Sequence, residues 1–379
     1  MPEATIVGAG PSGLTCAILL VQAGWTVRVV EHRLTVGEHS RAIGIHPPGL
    51  AVLDRVGVAS GALDQGVRIS QGIGISRDRT IGQVDFGQLA VRHNYILSLP
   101  QNQTIQLLRQ RLNELAPRAL ELGTKYLHHR QAAASSRIQV TSQKAGPTQS
   151  RDTDWLIAAD GTDSTVRQQL GLDFHGRSLS DRYLMGDYPQ STDFGATAAL
   201  FLHPRGIVES FPLPQGRRRW VAHAGRGSGP APELEQLVAE RTGHQLPSER
   251  SMYSEFRTAH RQVASMVHGR VILIGDAAHE ISPIGGQGMT LGLLDAQELA
   301  HLLTGELPVT SRGLAEFSTR RLARARRAAR QAQVNMFLGR PLPSPLVPLR
   351  DGIFSVLNRQ PRFMHALART FSMCDEHTP

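Results

Sequence analysis

Three glycines, Gly8, Gly10 and Gly13, stand in G-x-G-x-x-G spacing between a short apolar stretch at Thr5–Val7 and a segment of helical periodicity from about Ser12 to Ala23. That order suits the binding of phosphates. The first glycine permits a tight turn, the second lets a pyrophosphate approach the backbone, and the third lets helix and strand pack closely. The helix N-terminus supplies unpaired N–H groups for the phosphate oxygens. Thr26–Glu31 (TVRVVE) alternates and is β-branched, so a second strand is expected there. Glu31 closes it, near the ~20-residue spacing at which a carboxylate accepts hydrogen bonds from ribose hydroxyls. An acid at this place disfavours a 2′-phosphate, so FAD or NAD is expected rather than NADP.

Two later clusters carry chemistry of the same kind. WLIAADGTDSTVRQQLG, from Trp155 to Gly171, is a strand ending in Asp160 and Gly161, with Ser164 and Arg167 opening a helix. Taken alone, Asp160 serves equally well as a helix cap. GDAAHEISPIGGQGM, from Gly275 to Met289, follows the apolar run Val271–Ile274. It places Asp276 at the carboxyl end of a strand, and Pro283, Gly285, Gly286 and Gly288 in an open turn before a helix beginning near Met289.

Together the three motifs resemble the class A flavoprotein monooxygenases, the single-component FAD-dependent aromatic hydroxylases. They occur in that family's order and spacing, over roughly residues 4–335. The resemblance implies that the second glycine turn serves the far end of the same extended FAD. Asp276 would accept from ribityl hydroxyls. The helix after Gly288 would aim N–H groups and its positive end at the flavin edge that gains negative charge on reduction. Asp160 and Gly161 would lie near the FAD, and the bare glycines with Pro283 would leave room over the ring. Arg41, in SRAIGIH, falls where the family commonly has an arginine near the flavin. Gln101, in LPQNQT, resembles the branch that hydroxylates phenols and aromatic polyketides. His32 and Thr290 depart from the family's usual arginine and asparagine. The chain ends before the extra thioredoxin-like domain of the longer members.

The implied activity is hydroxylation of a phenolic or polycyclic aromatic small molecule by O2, with NADPH or NADH as transient reductant, through a flavin C4a-hydroperoxide. The protein would position substrate and exclude water. A base that deprotonates a phenol would assist; His46, His203, His223 and Tyr183 are candidates by residue type, and none is assigned. A reductase or halogenase of the same fold, acting on an isoprenoid or aromatic substrate, is the alternative, although the W-x-W-x-I-P motif of halogenases is absent. A non-catalytic FAD protein binding a polyanion or membrane surface is a further one.

The elements needed to position these residues can be laid out along the 379-residue chain. The expected fold is α/β: a Rossmann-like FAD-binding domain of glutathione-reductase type, from 1–68, 98–174 and 262–340. It is interrupted by a mostly antiparallel substrate-binding sheet, 69–97 and 175–261, and followed by a C-terminal helical tail, 341–379. Strands separated by Pro and Gly turns over 181–224, with no helix between them, carry the antiparallel expectation and should floor the substrate pocket. Gly72–Ser76 (GIGIS) has two of three fingerprint glycines and no following helix, so a β-turn is expected. In the tail, Phe354, Leu357, Phe363, Leu367 and Phe371 are expected on a packed helix.

Net charge is +9 and the pI about 10.4, yet Lys125 and Lys144 are the only lysines. A bias toward arginine is what a GC-rich genome produces. The densest run, from Arg320 to Gln333, is expected as a solvated helix face rather than a nucleic-acid site. Cys16 and Cys374, far apart, suggest neither a disulfide framework nor a metal site. No apolar run approaches the ~20 residues of a membrane span. A cytoplasmic protein with no nucleic-acid partner and no stable membrane insertion is expected.

Overall fold

The computed structural model describes residues 1–37, 40–131, 137–227, 232–305 and 309–374. At its centre the strand Glu3–Val7 pairs in parallel with Thr26–Glu31 on one side and Trp155–Ala158 on the other. Val271–Leu273 extends the sheet beyond Trp155–Ala158, and Leu120–Leu122 extends it beyond Thr26–Glu31, both in parallel. These five strands, from distant parts of the chain, thus share one sheet. Strands buried on both faces read as continuous apolar runs, and Leu156, Ile157, Ile272 and Leu273 are fully buried.

The helices Pro11–Gln22, Gln101–Leu115 and Gly288–Thr304 cover this sheet. The first and third approach closely because Gly292 has no side chain. A Cβ there would lie 2.2 Å from Ser12 Oγ, and one on Gly275 would lie 2.6 Å from the same atom. Ser12 therefore locks the first glycine loop to the second.

The second large sheet has eight strands. His175–Pro189 lies between Met252–Gln262 and Arg217–Arg226, antiparallel to both. Val208–Leu213 and Ala198–Phe201 continue the antiparallel order. Gln71–Ser76 then joins in parallel, and Arg79–Asp85 closes the edge. Period-two alternation divides the sheet into two faces. Leu184, Phe201, Val208, Trp220 and Ala222 pack under the helix Leu234–Thr242. Tyr183, Met185, Ile207, Val221 and Phe256 form the opposite face with Ile284 and Met336.

Three expectations need correction. GIGIS is a strand and not a β-turn; the turn comes at Arg77 and Asp78, both with positive φ, which reverse the chain into Arg79–Asp85. Ala119–Leu127 reads in the sequence as one strand candidate, but it is divided at Gly123, which has φ +67°, into Leu120–Leu122 and Lys125–Arg130. The basic run belongs to the helix Ser311–Leu338, which is not solvated throughout, because Arg321 is only 1% exposed. In the tail, two helices, Val347–Asn358 and Pro361–Phe371, lie against the strand Arg79–Asp85. The last five residues of the expected tail lie outside the described residues. No helix among the described residues is long and apolar enough to cross a membrane.

Candidate active site

The first glycine loop has the geometry its spacing suggests. Gly8 has φ +103°, and a Cβ there would meet Ala159 O at 2.3 Å. A Cβ on Gly13 would sit 2.1 Å from Gly8 O, whereas Gly10 opens on empty space. Pro11 occupies the first turn of the helix, where a missing N–H costs nothing. Glu31 reaches back to this loop: its carboxylate accepts from Ala9 N and from Arg33 N, each at 2.9 Å.

The second glycine turn is built on a buried charge cluster. Asp295, fully buried, accepts from Gly275 N at 2.9 Å and Arg321 Nε at 2.6 Å, and lies 2.6 Å from His279 Nε2. Burial would raise the pKa of Asp295, but His279 and Arg321 outweigh it and hold the carboxylate well below its usual range. Burial likewise opposes the charge on His279, and Asp295 overcomes it, so His279 titrates above its usual value. The turn itself carries positive φ at Gly285 and Gly286, +96° and +68°, and Gly286 N donates to Pro283 O at 2.9 Å. The helix Gly288–Thr304 starts there, with its free N–H groups at the turn.

Both glycine elements border one cavity of about 840 Å³, toward the upper end of the ~300–1,000 Å³ range of small-molecule sites. Arg41, Gln101, Gly161, Asp276, Pro283, Gly285, Gly286, Gly288 and Met289 line it. Gly8, Gly10, Gly13 and Glu31 are not among the lining residues, but their sequence neighbours Pro11, Ser12 and Arg33 are. Asp160 is not among the lining residues: Oδ2 accepts from Val166 N at 3.2 Å, capping a short helix, and Oδ1 is buried without a partner. Burial raises its pKa, and hydrogen bonds from Ser164 and Val166 oppose the rise. Asp276 opens into the cavity, and loss of bulk water raises its pKa, with Asp295 adding and His279 opposing. Arg41 Nε donates to Ser254 Oγ at 3.2 Å, and its guanidinium lies 5.8 Å from the centre of the Phe256 ring. Arg219, paired with Asp187, donates to Arg41 O at 2.6 Å and fixes that loop to the sheet.

Of the candidate bases, only His46 lines the cavity. It is 2% exposed, neither ring nitrogen has a hydrogen-bond partner, and burial lowers its pKa to about 4 against the backbone of Gly286, Phe371 and Gly285. His223 is held by Asp181 at 3.1 Å and by the edge of Tyr183. Tyr183 is buried and stacked on Phe256; burial, and then Glu209, push its hydroxyl far above the usual range. His203 Nδ1 accepts from Arg205 N at 3.2 Å outside the cavity wall. Glu209 is among the cavity residues that escaped the candidates. Glu209 is 7% exposed, and burial alone pushes its pKa up to about 7. The signal was present in IVESF, where alternation puts Glu209 on the same strand face as Ile207 and Phe211.

The family model for the FAD binding domain matches residues 2–332. The chain is 32% identical over 312 residues to 6-methylpretetramide 4-monooxygenase of Streptomyces rimosus, covering 80% of this chain and 55% of that one. It thus spans little more than half the length of that relative. It is 30% identical to para-nitrophenol 4-monooxygenase of Pseudomonas sp. strain WBC-3, covering 79% of this chain and 76% of the relative. Among solved structures it superposes on p-nitrophenol 4-monooxygenase PnpA from Pseudomonas putida DLL-E4 with TM-score 0.87 and 25% identity, over 100% of both chains.

Proposed function

Since the chain belongs to the FAD-binding domain family, we propose that it is an FAD-dependent monooxygenase that uses NAD(P)H and O2 to hydroxylate an aromatic small molecule, phenolic or polycyclic. One observation carries the proposal. The two glycine elements open on a single cavity whose other wall is the largely apolar face of the antiparallel sheet, so cofactor and substrate would share one space. The relatives named for para-nitrophenol and 6-methylpretetramide support an aromatic substrate.

The residues fit FAD. Gly10 leaves the empty space that a pyrophosphate needs, and the helix N-terminus at Pro11 and Ser12 faces the cavity. Glu31 would take ribose hydroxyls, Asp276 would take ribityl hydroxyls, and Gly161, Gly286, Gly288 and Met289 would form the surrounding walls. Arg41 and Gln101 would stand at the flavin's edge. Asp160 would act through the turn that it caps, with its free Oδ1 available to that turn. FAD supplies the two-electron redox chemistry and the activation of oxygen. The chain holds the substrate against the sheet, excludes water with the C-terminal helices, and turns the positive end of the helix Gly288–Thr304 toward developing negative charge.

The test is anaerobic flavin reduction by NADPH and by NADH, followed by visible absorbance, with and without a panel of phenols and polycyclic aromatics. Acceleration by one compound, followed by its oxygenated product in air, is the expected result. FAD that neither donor reduces under any condition would rule out a single-component monooxygenase.

A further inference from the structure

The sheet face that borders the cavity is largely apolar, with Glu209 among the few charged side chains that line it. Glu209 lies between Ile207 and Phe211 on its own strand, beside Val221 on one neighbouring strand and Leu200 on the other. A carboxylate so placed is costly unless something hydrogen-bonds it. No described residue supplies that bond, and burial is the sole influence on its titration.

The charged groups around it are committed elsewhere. On the strand Arg217–Arg226, Arg219 grips Asp187 at 2.6 and 2.8 Å, and His223 bonds Asp181. On the strand His175–Pro189, Tyr183 carries an un-ionised hydroxyl. Arg340 closes on Asp181 at 2.7 Å. The strand Ala198–Phe201 contributes Leu200, and the long helix contributes Asn335 and Met336, none of which titrates.

A ligand that fills the cavity is placed to supply the missing partner. On the reading that an aromatic substrate fills this cavity, we propose that Glu209 binds the hydroxyl group of a phenolic substrate and takes its proton. The phenol O–H bond breaks, its electron pair stays on the phenolic oxygen, and a new O–H bond forms on a Glu209 carboxylate oxygen. No electrons change hands, and the site keeps one negative charge throughout. A group titrating at about 7 is matched to this work at neutral pH. The phenolate left behind is the more electron-rich ring.

Binding of 4-nitrophenol and of its methyl ether, 4-nitroanisole, to the FAD-loaded protein tests this directly. Wild type should hold the phenol at least about tenfold tighter. In E209Q and in E209L, the second of which suits the apolar face and guards against misfolding, the ratio should fall to about threefold or less. Where turnover is measured, wild-type kcat/KM should rise with a one-proton slope up to about pH 7, as Glu209 ionises. E209Q should lose that limb and about 100-fold in kcat/KM at pH 8. Three results would overturn the assignment: equal or absent binding of the phenol in wild type, an unchanged ratio in both variants, or tighter binding of 4-nitrobenzylamine than of 4-nitrophenol, which would make the partner an ammonium. Failure of the monooxygenase reading shows separately, as flavin that NAD(P)H does not reduce, while the binding ratio still decides the role of Glu209.

Discussion

Burial lifts Glu209 from its ordinary 4.5 to about 7, so between those values the folded chain keeps a proton that the unfolded chain has released. Stability therefore falls as pH rises through that window and stays reduced above it, by about 3 kcal/mol for a shift of this size. E209L has no charge to bury. Its stability relative to wild type should rise by about 2–3 kcal/mol between pH 5 and pH 8, measured by urea denaturation at both; a constant difference would show that Glu209 is not perturbed. The loop glycines make a second contrast. Gly10 has an ordinary φ of −77° and empty space beside it, whereas a Cβ on Gly13 would collide with Gly8 O at 2.1 Å. G10A should melt within a few degrees of wild-type protein lacking FAD but lose at least about tenfold in FAD affinity, because its methyl takes the pyrophosphate's place. G13A should lose the fold as well. Equal effects of the two on melting temperature and FAD titration would contradict this division of labour.

Elements show where sequence patterns were legible and where they were not. The parallel strands and the helices at their carboxyl ends were readable because each glycine cluster falls at a strand–helix junction, where only a few residue types satisfy the turn. The support beneath the second glycine turn was not readable. Asp295 comes 16 residues after His279 and 26 before Arg321, and nothing local ties the three together. A trace did exist: Leu314, Phe317, Arg321, Leu322 and Ala325 share the buried stripe of one helix, so the basic run contained one arginine on an apolar face. Asp160 kept two readings for a related reason, since a capping carboxylate and a ligand-facing one follow the same strand–turn–helix pattern. The buried cluster makes its own prediction. D295N leaves Arg321 and His279 without their counter-charge and should cost about 3–5 kcal/mol. Pairing it with R321M should recover part of that loss in a double-mutant cycle of urea denaturation. Strict additivity would show that Asp295 and Arg321 act independently.

For the molecule as a whole, the net charge misleads and the tail decides. Arg218, Arg219 and Arg321 are at most 2% exposed, so part of the formal +9 is internal and cannot form a surface for polyanions. The C-terminal helices form part of the cavity wall, with Phe354, Phe363, Leu367 and Phe371 lining it. They also cover the edge strand of the large sheet, where Gln83 N donates to Asn358 Oδ1 at 2.9 Å, and so satisfy an otherwise exposed edge. A small polar clasp holds this cover down. Arg350 Nη2 donates to Leu202 O at 2.8 Å and Ser76 Oγ at 3.0 Å, and Ser76 in turn donates to Asp351 at 2.8 Å. The clasp lies away from the glycine elements, so loosening it should leave FAD in place while opening the substrate pocket. R350A is accordingly expected to retain wild-type FAD content and to exchange amide hydrogens over 347–371 faster. Its affinity for 4-nitrophenol should fall by about 5–10-fold, equivalent to the loss of one or two hydrogen bonds. If exchange accelerates but affinity is unchanged, the helices pack on the sheet without sealing the pocket, and the enclosure must come from the sheet and the second glycine turn alone.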